Sequence, residues 1–394
     1  MNPHILILGA GFGGLWSALS ATRLFDLHGH RDARVSVLAP QAQLRIRPRF
    51  YEPDAHLLAA PIDTLLTAVG VDFITGSAQS IDIAHKRVYY TDASGAQQVV
   101  NYDKLVLATG SGLAVPQAAF DVDRIEHAVR LEQHLQGLAE QPDSPARNTV
   151  VVAGGGFTGI ETATEMPARL RAILGEQAAI NVIIVDRGLK VGAAMGAEIA
   201  ESIAQASDAL GVTWWLQASV VDVDADGVTL SDGQRIAANT VIWTTGVRAQ
   251  ALTQDIPGER DALGRLHVDA NLKVMGQADI FATGDVAYAA TDDLGNHALM
   301  TCQHAIMLGR FAGNNVAADL LGVEAIAYRQ PKYVTCLDLG AWGAVYTEGW
   351  DRQVKLVGAE AKALKTQINT VWIYPPAAER TAAWAAADPL NAIA

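Results

Sequence analysis

Two copies of one supersecondary pattern constrain the fold of this chain more than any other feature. The pattern is a short apolar strand, a glycine-rich turn and a helix. It occurs as HILILGAGFGGLWSALSA from His4 and as NTVVVAGGGFTGIETATEM from Asn148. A helix that begins directly after such a turn presents free N–H groups and a partial positive charge to phosphates. Two such units in a chain of 394 residues predict an α/β fold with two Rossmann-like dinucleotide-binding domains.

Each glycine turn predicts a site for the pyrophosphate of a dinucleotide. In GxGxxG spacing the glycines permit a tight turn, close approach of the pyrophosphate to the backbone, and close packing of helix on strand. The glycines of the first turn are Gly9, Gly11 and Gly14. Those of the second turn are Gly154, Gly156 and Gly159. Because a strand precedes and a helix follows each turn, the motif is more specific than glycine spacing alone.

The residue that ends the second strand of each unit bears on the nucleotide that binds. In the second unit this residue is Asp186, and a carboxylate there accepts hydrogen bonds from a ribose 2′-hydroxyl and repels a 2′-phosphate. NADH is therefore expected rather than NADPH, although Arg187 could soften the preference; a carboxylate that only caps a turn is the alternative. In the first unit Ala39 stands here, so backbone, water or another polar side chain is expected to hold the adenosine ribose.

Three further segments each join an apolar strand to small residues. They are YDKLVLATGSG from Tyr102, NTVIWTTGVRA from Asn239 and ADIFATGDVA from Ala278. Any one of them is typical of an ordinary strand-to-turn junction. In this order around two glycine turns, they resemble the two-dinucleotide-binding flavoproteins, and most of all the type II NADH dehydrogenase group. The resemblance extends from Pro3 to about Gly349.

The resemblance implies an FAD-dependent NAD(P)H dehydrogenase that passes electrons to a quinone-type acceptor. Besides the six glycines above, the residues that it assigns to FAD and NADH are Gly13, Ala78, Thr109, Gly110, Gly246, Gly284, Asp285 and Gln303. It implies no metal. A soluble enzyme that uses a non-quinone small molecule or oxygen as acceptor is the alternative, and a redox sensor with little turnover is a third reading.

Glu161, Gln303 and Arg49 are the candidate catalytic residues. The resemblance places Glu161 near the nicotinamide–flavin contact, where a desolvated carboxylate has a raised pKa and can relay protons. An acid that only complements the helix dipole is the alternative. The resembled family carries a pattern close to Ala-Gln-x-Ala-x-Gln on its quinone-site helix. Gln303 retains the first glutamine of that pattern, and Met307 replaces the second.

The segment LRIRPRFYEP places Arg45, Arg47 and Arg49 two residues apart in a chain of net charge −13. If the segment is extended, the three side chains share one face. The resembled family has a mainly apolar run here that reaches the flavin. We therefore predict that Arg49 lies by the flavin or the FAD phosphates, where a cation favours anionic flavin or an anionic substrate. Ion pairs with nearby acids such as Glu52 are the alternative.

The motifs also predict the domain organisation. An FAD-binding domain is expected in two parts, residues 1–115 and 250–325, with an NAD(P)H-binding domain inserted at residues 116–249. Residues 326–394 are expected to form a small α+β C-terminal domain. It would contain a β-hairpin after Tyr328 and a helix within the range Gly358 to Pro376, where two prolines stop it.

Composition limits the partners and the location. The acidic net charge argues against nonspecific nucleic-acid binding and against a polybasic membrane anchor. Cys302 and Cys336 form no CxxC pair, which disfavours zinc and a short redox disulfide. The alanine-rich C-terminal sequence predicts only a weak interfacial anchor. A cytoplasmic enzyme is expected, at most peripheral on the inner face of the membrane, and a homodimer is one assembly open to it.

Overall fold

The computed structural model describes residues 3–30 and 32–391. The strands are β1 (His4–Leu8), β2 (Arg34–Ala39), β3 (Gln43–Arg45), β4 (Ala59–Pro61), β5 (Asp72–Asp82), β6 (Arg87–Asp92), β7 (Gln97–Asn101), β8 (Lys104–Leu107), β9 (Ser111–Gly112), β10 (Thr149–Ala153), β11 (Asn181–Val185), β12 (Val212–Trp215), β13 (Val220–Asp224), β14 (Gly227–Leu230), β15 (Arg235–Ala237), β16 (Thr240–Trp243), β17 (Arg248–Ala249), β18 (Leu266–His267), β19 (Ile280–Ala282), β20 (Ala287–Tyr288), β21 (Val334–Asp338), β22 (Ala344–Glu348) and β23 (Gln353–Gly358). The helices are α1 (Phe12–Leu27), α2 (Asp63–Val69), α3 (Ile125–Gly137), α4 (Phe157–Leu174), α5 (Ala197–Leu210), α6 (Cys302–Leu321), α7 (Ala359–Gln367) and α8 (Arg380–Ala386).

A seven-stranded sheet forms around the first glycine turn, in the order β19-β8-β1-β2-β5-β6-β7. The first five strands are parallel, and β6 and β7 add an antiparallel edge. Strand β1 lies inside the sheet and every residue of it is buried, as its aliphatic sequence predicts. Because β19 comes from a distant part of the chain, the sheet is assembled from two separate segments. The predicted domain boundaries themselves stay a prediction.

A second sheet follows the second glycine turn. Its four strands are all parallel, in the order β12-β11-β10-β16, and strands β13, β14 and β15 form a separate antiparallel sheet. Helix α4 starts four residues after β10, just as α1 starts four residues after β1. Two parallel sheets, each with a strand, a glycine turn and a helix, confirm the predicted α/β class.

Helices α1 and α6 approach so closely that only glycine fits between them. A Cβ atom added to Gly313 on α6 would lie 2.1 Å from the carbonyl oxygen of Ser17 on α1. One added to Gly309 would lie 2.6 Å from the carbonyl oxygen of Gly13. The Ser17 hydroxyl donates to the carbonyls of Gly13 at 2.8 Å and Gly309 at 3.1 Å. This contact fixes the start of α1, and so the first glycine turn, against α6.

Replacing Gly313 with alanine is expected to destabilise the protein by about 1–3 kcal/mol, because the backbones of α1 and α6 must move apart. Chemical unfolding followed by circular dichroism measures this change. Gly137→Ala in α3 is the matched control, since a Cβ there meets no atom within 4 Å and alanine favours a helix. Equal stability of the two variants would contradict the described packing.

The C-terminal residues contact both parallel-sheet units. Strands β21, β22 and β23 form an antiparallel sheet, and the backbone N–H of Val354 donates to Glu198 on α5 at 3.2 Å. Helix α7 continues into a π-helical turn, Ile368–Trp372, before the two prolines. Helix α8 returns to α1, where the indole N–H of Trp384 donates to Thr22 at 3.1 Å. No helix within the described ranges combines the length and apolar character that crossing a bilayer requires.

Candidate functional site

The first glycine turn is closed on its protein side and open on the other. Gly9 has a φ of +111°, and a Cβ there would lie 2.3 Å from the carbonyl oxygen of Ala108. A Cβ on Gly14 would lie 1.9 Å from the carbonyl oxygen of Gly9. A Cβ on Gly11 would meet no protein atom within 4 Å. Gly9 and Gly14 therefore serve the packing, and Gly11 borders space that a bound group can fill.

Two segments lie beside this turn: residues 108–110, with the sequence ATG, and residues 282–285, with the sequence ATGD. A Cβ on Gly13 would lie 3.2 Å from the Thr283 side chain, and Gly110 borders open space. The hydroxyls of Thr109 and Thr283 are buried without a hydrogen-bond partner in the described protein. Because buried polar groups are normally satisfied, the space and these hydroxyls together fit a polar ligand such as the FAD pyrophosphate.

The acidic residue of this site is held by two donors. Asp285 follows Gly284 in a 3₁₀ turn, Gly284–Val286, at the end of β19. Its carboxylate accepts hydrogen bonds from the Ser111 hydroxyl at 2.6 Å and from the Arg47 guanidinium at 3.3 Å. Arg47 also pairs with the half-buried Asp123. The cation of Arg47 therefore lies against the acid that the resemblance assigns to the FAD site.

The two neighbouring arginines point elsewhere. The segment is not extended throughout, because β3 ends at Arg45 and a 3₁₀ turn covers Arg47–Arg49. Arg45 pairs with Glu126 at 2.6 Å. Arg49 binds Glu52 at 2.7 Å and the Tyr374 hydroxyl at 3.2 Å. The hydrogen bond that Arg49 donates to Glu52 raises the pKa of Arg49. Local ion pairs thus describe Arg45 and Arg49, and the cofactor role of Arg49 stays a prediction.

Replacing Arg47 with leucine is expected to weaken FAD retention about tenfold, since it leaves Asp285 without its cation next to a negatively charged cofactor. FAD release on dialysis, measured by absorbance, tests this. Arg45→Leu is the control, because its exposed ion pair contributes less than about 1 kcal/mol. Equal FAD retention by the two variants would remove Arg47 from the site.

The second glycine turn repeats the arrangement of the first. Gly154 has a φ of +113°, and a Cβ there would lie 2.4 Å from the Thr245 side chain. A Cβ on Gly159 would lie 1.9 Å from the carbonyl oxygen of Gly154. Gly156, and Gly246 with a φ of +84°, border open space. Space that the protein does not fill therefore also borders the start of α4.

Asp186 is fixed beside the second turn. One carboxylate oxygen accepts the backbone N–H of Gly155 at 2.8 Å, and the other accepts that of Gly188 at 2.7 Å. These bonds show that the carboxylate caps a turn, as the alternative reading expects. They also orient it toward the glycine turn, where a ribose is proposed. Its preference for NADH stays a prediction.

The adenosine end of the first site has no acid. Ala39 ends β2 and pairs with Thr75 on β5. Farther along β5, Ala78 lies where the pairing with β6 shifts in register before Ser80. Two small residues therefore stand on adjacent strands. The assignment of Ala78 to the cofactor stays a prediction.

A buried ion pair connects the second unit to the C-terminal segment. Glu161 on α4 and Lys365 on α7 are buried, and Nζ of Lys365 donates to Oε1 of Glu161 at 2.7 Å. The backbone N–H of Asp338 donates to the same oxygen at 3.0 Å. Burial raises the pKa of Glu161 to about 7, against the opposing effect of the Lys365 ammonium. Such a carboxyl can take up and release a proton near neutral pH.

Helix α6 begins beside the turn that carries Asp285. Thr301 caps it, and its side chain accepts from the backbone N–H of His304 at 3.3 Å; Gln303 is half-buried in the first turn. Burial raises the pKa of the Cys302 thiol to about 11, with smaller effects from the charges of Lys365 and Asp285. The thiol is therefore protonated and a poor nucleophile. A Cβ on Gly284 would lie 3.5 Å from the Cβ of Ala305, so the first turn of α6 packs against the turn that carries Asp285.

Sequence reasoning missed three residues of this region. Lys365 had no assigned role, and only its position in the fold shows that it pairs with Glu161. Arg47 was named with Arg45 and Arg49, but the prediction of a cofactor contact was made for Arg49. His304 is fully buried and stacks on Tyr333 with ring centroids 5.5 Å apart, and burial lowers its pKa to about 4. Among the described residues, no group of acidic, histidine or cysteine side chains suits a metal ion.

The sequence profile of the pyridine nucleotide-disulphide oxidoreductases matches residues 3–309. The chain belongs to this family. It is 45% identical over 386 residues to an NADH dehydrogenase-like protein of Mycobacterium tuberculosis, with 95% of this chain and 94% of the relative covered. It is 30% identical to a demethylphylloquinone reductase of a Synechocystis species, with 87% of this chain and 86% of the relative covered.

The fold agrees with a solved structure of NDH2 from Plasmodium falciparum in complex with NADH. The TM-score is 0.78 at 14% sequence identity, and 98% of this chain and 97% of the other are covered. The predicted resemblance to the type II NADH dehydrogenase-like flavoproteins is confirmed. This member of the pyridine nucleotide-disulphide oxidoreductase family is an oxidoreductase, as the motifs predict.

Proposed function

We propose that this oxidoreductase takes a hydride from NADH onto bound FAD and delivers the electrons to a quinone. The observation that supports this most directly is the pair of glycine turns, each with open space at its second glycine, Gly11 and Gly156. Glu161 lies in the first turns of the helix that opens the second site, and it pairs with the buried Lys365 of α7. The proposed place of Glu161, as the resemblance implies, is near the nicotinamide–flavin contact.

Each proposed cofactor site has its own set of residues. Bound FAD would supply the hydride acceptor and the onward transfer of electrons. The residues proposed to hold FAD are Gly9, Gly11, Gly13, Gly14, Ala78, Thr109, Gly110, Gly284, Asp285 and Gln303. Those proposed to hold NADH are Gly154, Gly156, Gly159, Asp186 and Gly246. The N-terminus of α6 carries a partial positive charge, which would stabilise the negative charge of a reduced flavin.

Glu161 is proposed to supply protons to the acceptor. Reduction of a quinone to a quinol consumes two protons as well as two electrons, so a proton donor is needed near the acceptor. A carboxyl with a pKa of about 7 is half-protonated at neutral pH and can be refilled between turnovers. Lys365 stabilises the carboxylate after the proton leaves.

A quinone is the acceptor that the relatives favour. One of them is named a demethylphylloquinone reductase. Two departures from the resembled pattern, Arg49 and Met307, keep a soluble non-quinone acceptor or oxygen as the second candidate. Arg49 bears on this choice because it brings a charge into a segment that is mainly apolar in the resembled family.

Steady-state NADH oxidation with a panel of quinones, compared with oxygen alone, tests the proposal. We expect quinones to sustain NADH oxidation under anaerobic conditions, and we expect NADH to be preferred over NADPH. A protein that oxidises NADH faster with oxygen than with every quinone would support the second candidate instead. A peripheral membrane association and a homodimer stay predictions, which flotation with vesicles and light scattering can check.

A further inference from the structure

A polar cavity of about 170 Å³ lies between α4, the segment after β3, and α7 with the π-helical turn that follows it. Its inner end is formed by four buried residues, Lys365, Asp338, Tyr51 and Asn369, and its outer end includes the exposed Thr366 and Thr370. The cavity therefore runs from the surface to the partner of Glu161. Its size admits several water molecules, since each occupies about 30 Å³ in the liquid.

The walls of the cavity are built to hold water. The Tyr51 hydroxyl is buried and has no hydrogen-bond partner in the described protein, and Asn369 and the charged groups supply further donors and acceptors. Polar cavities of this size hold ordered water, whereas apolar ones stay dry. The charged side chains that line the cavity are Arg49, Glu52, Glu165, Asp338, Lys362 and Lys365.

Glu165 is the carboxylate of this cavity that the proposed mechanism has not used. It lies four residues after Glu161 on α4, so the two acids occupy one face of the helix, about one 5.4 Å turn apart. Burial raises the pKa of Glu165, and the charges that act on it come from Lys362, Asp338, Arg169 and Glu52. No hydrogen bond within the described protein occupies the Glu165 carboxylate, whereas Asp338 is bound by Lys362 at 2.6 Å and Glu52 by Arg49 at 2.7 Å.

The proposed reaction needs one proton from solvent in each turnover. NADH, one proton and a quinone give NAD⁺ and a quinol: the hydride carries two electrons and one proton, and the second proton comes from water. Glu161 is buried, so bulk water does not reach it directly. Once it has given its proton to the acceptor, a route must exist to replace that proton.

We infer that this cavity is the proton inlet of the enzyme, and that Glu165 passes protons from its water to the Glu161–Lys365 pair. The inference rests on the proposed function. A proton from solvent enters at the outer end and protonates the Glu165 carboxylate. After Glu161 has given its own proton to the acceptor, the proton on Glu165 moves through the cavity water to Glu161, and Glu165 returns to the carboxylate. Glu165 touches neither cofactor nor acceptor in this scheme, so it is a positioning residue that acts through Glu161.

Stopped-flow kinetics of the FAD-loaded enzyme separate the two half-reactions. In Glu165→Gln, flavin reduction by NADH is expected at the wild-type rate, because the hydride brings its own proton. Reoxidation by a soluble short-chain quinone is expected to slow about tenfold. This loss is smaller than the loss typical of a general acid–base group that itself transfers a proton to the substrate. Its solvent deuterium isotope effect is expected to rise, and acetic acid in the buffer is expected to restore the rate partly.

Two further variants complete the test. Thr370→Trp narrows the outer end without changing a charge, and it is expected to slow reoxidation in the same way even if Glu165→Gln folds poorly. Glu176→Gln removes an exposed acid just beyond α4 and is expected to match the wild type. Wild-type reoxidation rates and isotope effects in both cavity variants would overturn the inlet, as would equal slowing of both half-reactions. Failure of a quinone to reoxidise the wild-type flavin would instead overturn the proposed function.

Discussion

Replacing Gly11 with alanine is expected to weaken FAD binding by about 10–100-fold while the fold stays intact. The added methyl group would meet no protein atom within 4 Å, and the φ of −73° at Gly11 suits alanine. Any loss must therefore come from a group that fills the open space, at a steric cost of about 1–3 kcal/mol. Titration of the apoprotein with FAD, followed by fluorescence quenching, measures the change.

Gly156→Ala is the matched variant at the second turn. Its φ is −79° and its methyl group would also point into open space. It is expected to keep FAD at wild-type affinity and to raise the KM for NADH. If both variants lost FAD equally, or if neither lost any ligand, the assignment of one cofactor to each turn would be wrong.

Replacing Glu161 with glutamine is expected to lower quinone turnover by about 100-fold, the effect typical of a general acid–base group. The pKa of Glu161 is raised to about 7, so the wild-type carboxyl holds its proton below that pH and loses it above. Quinone reduction by the wild type should therefore fall as the pH rises through about 7, and this inflection should be missing in Glu161→Gln. Stopped-flow reoxidation over a pH series measures both effects.

Loss of the partner charge provides a second readout on the same acid. Lys365→Met removes the ammonium that favours the carboxylate, so the pKa of Glu161 should rise and the inflection should move to higher pH. If Glu161 had only a structural role, Lys365→Met would lower the rate of quinone reduction at every pH and would leave the inflection at the same pH. That outcome would contradict the proposed proton transfer.

Much of the fold could be predicted from the sequence because its signals are local. The aliphatic run from His4 to Leu8 and the glycine spacing after it are sufficient to predict a buried parallel strand and a helix that opens at a turn. The same holds for the second unit from Asn148. The return of β19 to the first sheet followed from the resemblance, since no local pattern pairs a strand near residue 280 with one near residue 105.

The side-chain partners of the site could be predicted less well because they depend on tertiary packing. Arg47 and Arg49 are two residues apart and chemically identical, and the 3₁₀ turn between them sends one toward Asp285 and the other toward Glu52. Lys365 lies 204 residues from Glu161 in the chain. Neither relation leaves a trace in local composition or periodicity.

An anaerobic titration of the FAD-loaded protein with NADH, followed by addition of a quinone, tests the central claim most directly. Stoichiometric NADH is expected to bleach the visible absorbance of the oxidised flavin, and the quinone is expected to restore it. A flavin that NADH does not bleach would contradict the transfer of a hydride between the two sites. A flavin that NADH bleaches but no quinone reoxidises would leave the dehydrogenase half of the account in place and contradict the proposed acceptor.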